Sequence, residues 1–166
     1  MTQQAECPDC GNPRLLFNQC PHCGSENLPI LGTDTVEFNI KQDGPYVEEA
    51  LERLTDYLRK SLELGIKAVI VVHGYGSRGE GGRIKWAIHD ALENNCYSDR
   101  VDEYHFGEDV AFGSEAYHVL LRRRPGLKRY LRRFKEGNAG ITFLLLGALM
   151  LEVLRIGIHI NKRFIN

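Results

Sequence analysis

Two pairs of cysteines near the N-terminus have the spacing of a metal site. Cys7 and Cys10 form the first pair, Cys20 and Cys23 form the second, and a glycine follows each pair. A Cys-x-x-Cys hairpin directs two thiolates towards one ion, and four thiolates are a common ligand set for structural zinc. The spacing therefore predicts a ribbon around one structural zinc ion. The alternative is a redox pair or disulfides, which a cytosolic setting disfavours.

A glycine-rich segment from His73 to Gly82 has the character of an anion-binding turn. It follows an apolar, β-branched run at 66–72 and precedes a pattern typical of a helix. In open α/β sheets ligands bind at the carboxyl ends of strands, and a helix N-terminus favours phosphate. His73 adds a group that can move protons near neutral pH, and the alternative is a flexible connection. The residues predicted to contact nucleic-acid phosphates are Gly74, Tyr75, Gly76, Arg78, Gly81, Gly82, Arg83 and Lys85.

Alternating strand and helix patterns surround this turn and would position it. The predicted elements are strands at 36–40, 66–72, 101–106 and 140–146, helices at 47–62 and after the glycine turn, and a helical segment at 114–135 broken at 125–126. A strand, helix, strand, helix, strand order predicts an α/β domain with right-handed crossovers.

Charge and composition narrow the range of partners. The net charge of −1 conceals a run at 122–135 that holds eight basic residues and no acid, on an otherwise mildly acidic chain. Such a local basic patch favours docking on nucleic acid, with a solvated helix face as the alternative. The first residues have neither the basic start nor the apolar core of a signal peptide, so we expect a cytoplasmic protein.

The sequence HGYGSRGEGG, with VEEALERL and IKAVIVV before it, resembles the HGxG motif of the Smr (small MutS-related) domain. FGEDVAF and GNAGITFLLL are similar to the last part of extended Smr domains, so the resemblance covers about residues 34–147. It implies a two-layer βαβαββ fold of the α/β class, here preceded by the zinc ribbon. It also implies binding, and nicking or cleavage, of RNA or DNA.

The chain departs from the family at a second motif. Smr nucleases carry LDxHG after the first strand, and alignment on Gly44 places Lys41 at the position of the family's aspartate and Asp43 at that of its histidine. The resemblance therefore implies His73 as a catalytic residue, with Asp43 as a candidate partner. The alternative for Asp43 is a simple Asp-Gly turn. Whether the protein cleaves its target is left open by this change.

These patterns divide the chain into a zinc ribbon at 1–30, an Smr-like domain at 34–147 and an apolar tail at 148–166. Charged residues interrupt the tail, which favours a helix packed on the domain or on a partner over a membrane anchor. The predicted function is nucleic-acid binding, with endonuclease activity open and RNA, DNA or the ribosome as partners. The alternative is a non-catalytic adaptor that docks on ribosomes or on a protein. The oligomeric state is not predicted.

Overall fold

The computed structural model describes residues 4–29, 31–75, 82–132, 134 and 136–147. In chain order its elements are β1 (Gln4–Glu6), β2 (Pro13–Leu15), β3 (Thr35–Asn39), α1 (Val47–Glu63), β4 (Ala68–Val72), α2 (Arg83–Glu93), β5 (Val101–Phe106), α3 (Glu115–Arg123), a 3-10 turn (Pro125–Leu127), α4 (Lys128–Leu131) and β6 (Ile141–Leu146). The α/β class and the predicted order of strands and helices are confirmed.

The main sheet has four strands in the order β3-β4-β6-β5. Strands β3 and β4 are parallel and are joined through α1, whereas β6 is antiparallel to both of its neighbours. The central position of β6 explains its composition, because all six of its residues are buried. A strand covered on both faces needs an apolar run without polar alternation.

Helices α1 and α2 cover one face of the sheet. Helix α1 buries Ala50, Leu54 and Leu58, which recur every four residues and so lie on one side of the helix. Helix α2 buries Ile88 and Leu92 in the same core. Gly65 ends the first helical segment with φ of 71°, a left-handed conformation that glycine adopts without strain. The amphipathic spacing in the sequence therefore predicted this face correctly.

The other face of the sheet is covered by the segment that contains α3 and α4. Leu120 and Leu127 pack there against Phe143 of β6, and all three side chains are fully buried. This segment adds a third layer to the two layers that the sequence predicted. This layer was not predicted because basic residues separate the few apolar side chains of the segment that face the sheet.

The N-terminal ribbon packs against the main domain through two residues of its tip. Leu16 is buried in the same core as α1, and the ring of Phe17 meets the ring of Tyr57 edge-on at 4.7 Å. Tyr57 in turn stacks on Phe38 of β3 at 4.0 Å and donates a hydrogen bond to the carbonyl of Glu37. The ribbon is thus fixed to β3, which forms one edge of the sheet.

No helix among the described residues is long and apolar enough to cross a membrane. The tail at 148–166, for which a packed helix was predicted, lies outside the described residues.

Candidate functional site

The four paired cysteines come together at one point of the ribbon. Their sulfur atoms all lie within 4.8 Å of one another, with Cys7 Sγ 3.6 Å from Cys23 Sγ and Cys10 Sγ 3.7 Å from Cys20 Sγ. Gly11 and Gly24, which follow the two pairs, have φ of 69° and 71°, the left-handed conformation that glycine adopts without strain. The short β1–β2 ribbon brings the hairpins together, and the four cysteines could hold a metal ion. His22 is exposed and does not belong to this cluster.

Polar contacts join the two hairpins around the sulfur atoms. Asp9, inside the first pair, accepts hydrogen bonds from Ser25 and from Asn27, the latter at 3.0 Å. These bonds lower the pKa of Asp9. Arg14 is buried beneath the hairpins and donates to the carbonyls of Asn18 and Asn27. These contacts link the two hairpins without any residue of the main domain.

The thiols are electrostatically suited to a cation. Burial opposes ionisation of Cys7, but backbone N–H groups of Asp9 and Cys10 outweigh it and lower the pKa of Cys7 to about 6. The backbone N–H of Ser25 favours the thiolate of Cys23. Contacts of Cys23 with the other three cysteines nevertheless raise the pKa of Cys23 to about 12. Four thiolates at this spacing repel one another, so a bound divalent ion would relieve the repulsion.

The glycine turn begins where β4 meets the end of β6. The N–H groups of His73 and Gly74 both donate to the carbonyl of Gly140, at 3.0 and 2.9 Å. Gly74 has φ of 72°, and a Cβ there would lie 3.3 Å from Cδ of Lys41. The positive φ therefore favours glycine at this position, and a larger residue would also displace the flexible end of the Lys41 side chain. The N–H of Gly82 donates to the carbonyl of Tyr75 and closes the described part of the turn.

The side chain of His73 is buried, and both of its ring nitrogens have partners. Nδ1 lies 3.1 Å from the carbonyl oxygen of Gly74, and Nε2 lies 2.9 Å from Oγ1 of Thr142. Because a carbonyl only accepts, Nδ1 carries the proton and Nε2 accepts from the threonine hydroxyl. Burial lowers the pKa of His73, so the ring is neutral at pH 7. In this arrangement His73 ties the glycine turn to β6.

A cleft of about 930 Å³ opens in front of this turn, between the start of α1, the start of α2 and the segment at 138–141. His73, Gly74, Tyr75, Gly82 and Arg83 line it, and their predicted contacts with nucleic acid stay a prediction. Gly82 is the N-cap of α2 and has no side chain to cap the first-turn N–H groups, and that first turn contains no acid. This end of the helix is therefore favourable to an anion.

The two residues of the altered motif take different places. Lys41 lines the cleft beside Gly74, at the position where the family's aspartate was expected. Asp43 is exposed, has φ of 65° and lies in the turn before α1 rather than on the described wall of the cleft. The structure thus brings a lysine, and not Asp43, next to His73 and the glycine turn.

Lys85, predicted to contact phosphate, does not line the cleft. It is buried, and its Nζ lies 2.6 Å from Oε1 of Glu108. This ion pair and a backbone hydrogen bond outweigh burial and lower the pKa of Glu108. Lys85 therefore links α2 to the loop after β5 through this ion pair. Gly76, Arg78 and Gly81 lie outside the described residues.

Sequence reasoning missed His89, which has the pattern of an ordinary surface or boundary residue. His89 is buried, stacks on Phe106 with ring centroids 3.7 Å apart, and meets His73 edge-on at 5.8 Å. Burial lowers its pKa to about 4. The available signal was its position four residues after Lys85 and three before Leu92, on the buried side of α2. Thr142 and Asn138 were also missed, since no local pattern links them to His73 or Tyr75.

Comparisons with known proteins agree with this description. The family model of the Smr domain matches residues 44–122, from the turn before α1 to the last part of α3. Residues 44–122 therefore match the Smr domain, and Smr domains are associated with nucleic-acid binding and nuclease activity. The Smr domain of MutS2 from Thermus thermophilus is similar in structure, with 23% identity and a TM-score of 0.40 over 68% of this chain and 96% of that chain. A comparison with curated protein sequences gives no match.

Proposed function

We propose that this protein binds single-stranded RNA or DNA in the cleft at the end of β4, and that its ribbon holds a structural zinc ion. The observation that carries the proposal is the composition of the cleft. Its described wall combines Lys41 and Arg83, an uncapped helix N-terminus and two exposed tyrosines.

The phosphate part of the proposal rests on charge and backbone geometry. Lys41 and Arg83 both line the cleft, whereas Glu48 is the acid among its described lining residues. The start of α2, where Arg83 itself lies, presents N–H groups and the positive end of the helix dipole. A phosphate seated there would meet two cations and backbone donors together.

The preference for single strands rests on the aromatic residues. Tyr46 is 83% exposed and Tyr75 is 53% exposed, and both line the cleft. The hydroxyl of Tyr75 donates to Oδ1 of Asn138 at 2.6 Å, and this bond holds the ring in place. Exposed rings beside a phosphate site provide stacking surfaces for unpaired bases.

Binding without hydrolysis is the activity that the geometry supports best. His73 is neutral and is held by Gly74 and Thr142, and Lys41 replaces the acid of the family motif. A general base needs a free nitrogen within reach of the proton that it accepts. Cleavage by His73, with Asp43 as its partner, is a second hypothesis, and the observation that favours it is that His73 lines the cleft.

The proposed zinc would be structural. Cys7, Cys10, Cys20 and Cys23 supply four thiolates, which complete a tetrahedral shell and leave no open position for water or substrate. The ion would neutralise the thiolates and fix the two hairpins. The four-sulfur set fits zinc better than it fits the oxygen-preferring ions magnesium or calcium.

A binding and cleavage assay with labelled single- and double-stranded RNA and DNA tests the proposal. The Arg83→Gln and Lys41→Gln variants should each weaken binding and reduce the slope of log affinity against log salt by about 0.7. Arg59→Gln is the matched control, because this exposed arginine lies in the last turns of α1 and pairs only locally with Asp56 and Glu63. Equal affinities of all three variants would refute the cleft as the binding site.

The same assay separates binding from cleavage. We expect intact substrates after incubation with the wild-type protein. Cleavage by the wild type that disappears in His73→Gln, with an unchanged melting temperature, would instead support the nuclease hypothesis. The Asp43→Asn variant would then show whether this exposed carboxylate takes part. A ribosomal partner stays a prediction, which co-sedimentation with ribosomes would test.

A further inference from the structure

A second cavity lies on the other side of β6, next to the first cleft. Its volume is about 500 Å³, and it is bounded by the loop after β5, by α3 and α4, and by β6. Phe134 and Ile141 line both the cavity and the cleft, so the two spaces adjoin at these side chains. A ligand that extends from the cleft past Phe134 would enter this second cavity.

One wall of the second cavity presents an aromatic pair. Phe112 is 74% exposed, and its ring centroid lies 5.3 Å from that of Tyr117 at an interplanar angle of 57°. An apolar ring of this size exposed beside a cavity leaves one face free for stacking. A nucleobase offers a flat π-face for such a contact whatever its sequence identity.

The rim of the same cavity carries available positive charge. Lys128 and Arg132 line it, both are exposed, and neither forms a salt bridge within the described part of the chain. Their neighbour Arg123 differs, because it is held by Asp102 and Glu103. Glu136 is the acid on the described wall, so the rim has an excess of positive charge.

We propose that the second cavity binds a base and the adjoining phosphate of the same single strand whose phosphate occupies the first cleft. Phe112 and Tyr117 stack on the base, and Lys128 and Arg132 contact the phosphate. The inference rests on the proposed function of the cleft and extends it across Phe134. The protein would then bind several successive unpaired nucleotides rather than one.

Fluorescence anisotropy with two labelled oligonucleotides of about 2 and about 12 nucleotides tests this inference on the full chain. Phe112→Ala should weaken binding of the long oligonucleotide by about 5- to 150-fold, and Phe112→Tyr should restore it. The double variant Lys128→Gln with Arg132→Gln should lower the salt slope for the long oligonucleotide by about 1.4. The affinity for the short oligonucleotide should not change in either variant.

Arg122→Gln provides the matched control, since this exposed arginine belongs to the same basic run but does not line the cavity. One outcome would be that the cavity variants bind the long oligonucleotide as tightly as Arg122→Gln does, while Arg83→Gln still lowers the affinity for both oligonucleotides. That result would exclude the second cavity as a binding site and would leave the proposal for the cleft intact. If the wild type binds neither oligonucleotide, both proposals fall. If Phe112→Ala lowers the melting temperature and leaves the affinity for the long oligonucleotide unchanged, Phe112 contributes to the stability of the fold rather than to binding, and the inference is overturned.

Discussion

The N-terminal ribbon with its four cysteines and the cleft of the main domain are built in opposite ways. In the ribbon, the contact between Cys7 and Cys23 joins residues only 16 positions apart. In the cleft, the bond between His73 and Thr142 joins residues 69 positions apart, and Lys41 and Arg83 arrive from two further segments. The ribbon therefore depends on local turns, whereas the cleft depends on the packing of the whole sheet.

Metal removal should have the largest effect and should separate the two regions. In peptides with four metal ligands the binding free energy of zinc is about 10–16 kcal/mol and is the source of folding. We expect a chelator to unfold residues 4–29, which becomes visible as protease cleavage there. Trp86, the single tryptophan, lies at the start of α2 and should keep its fluorescence. A simultaneous change of both signals would show that the two regions unfold together.

Loss of the Thr142 hydroxyl should have the next largest effect, and it should be confined to the cleft. Thr142→Val leaves Nε2 of the buried His73 without a partner, which costs about 1–3 kcal/mol of the free energy of unfolding. Urea unfolding followed by Trp86 fluorescence would measure this loss. Thr142→Ser retains the hydroxyl and is the matched control. If both variants lose the same stability, the methyl group matters more than the hydrogen bond.

A smaller effect is expected at the contact between the two regions. Phe17→Ala removes the edge-on contact with Tyr57, and a half-buried aromatic ring contributes about 1–2 kcal/mol. The metal should stay bound, because the sulfur shell is formed without Phe17. Release of zinc to a colorimetric chelator, measured beside thermal unfolding, would test this separation. Faster zinc release in the variant would show that docking also stabilises the metal centre.

The last effect depends on pH, is absent near neutral pH and concerns the cleft side. Burial holds the pKa of His89 at about 4, below the ordinary value of about 6.5. The unfolded chain therefore binds a proton more readily than the folded chain between these values. Stability should be complete above about pH 6.5 and should decrease as the pH falls towards 4. His73, whose pKa is also lowered, should add to the same trend.

His89→Phe provides the control for the pH dependence. Phenylalanine can keep the stacking on Phe106 and does not titrate. The difference between melting temperatures at pH 7.5 and pH 5 should therefore be smaller in this variant than in the wild type. An unchanged difference would assign the acid sensitivity to His73 or to the carboxylates that form ion pairs, such as Glu108.

Residue spacing alone determined the parts of this protein whose physics is local. The Cys-x-x-Cys pairs and their glycines specified a four-sulfur site, since ligands in two short hairpins need little beyond a turn to converge. The helical spacing of Ala50, Leu54 and Leu58 and the apolar run of β6 specified which surfaces face the core. The position of the glycine turn after β4 was also predicted correctly, because an apolar, β-branched run followed by glycines indicates the end of a strand.

Only the tertiary structure decided how the polar residues are used. Lys85 meets Glu108, His89 is buried under Phe106, and Thr142 occupies Nε2 of His73, although no pattern in the sequence links these partners. Their pairing depends on the antiparallel register that places Thr142 of β6 beside Val71 of β4 and Phe106 of β5. A register is set by the packing of both sheet faces at once, so it is a property of the whole fold rather than of any local segment.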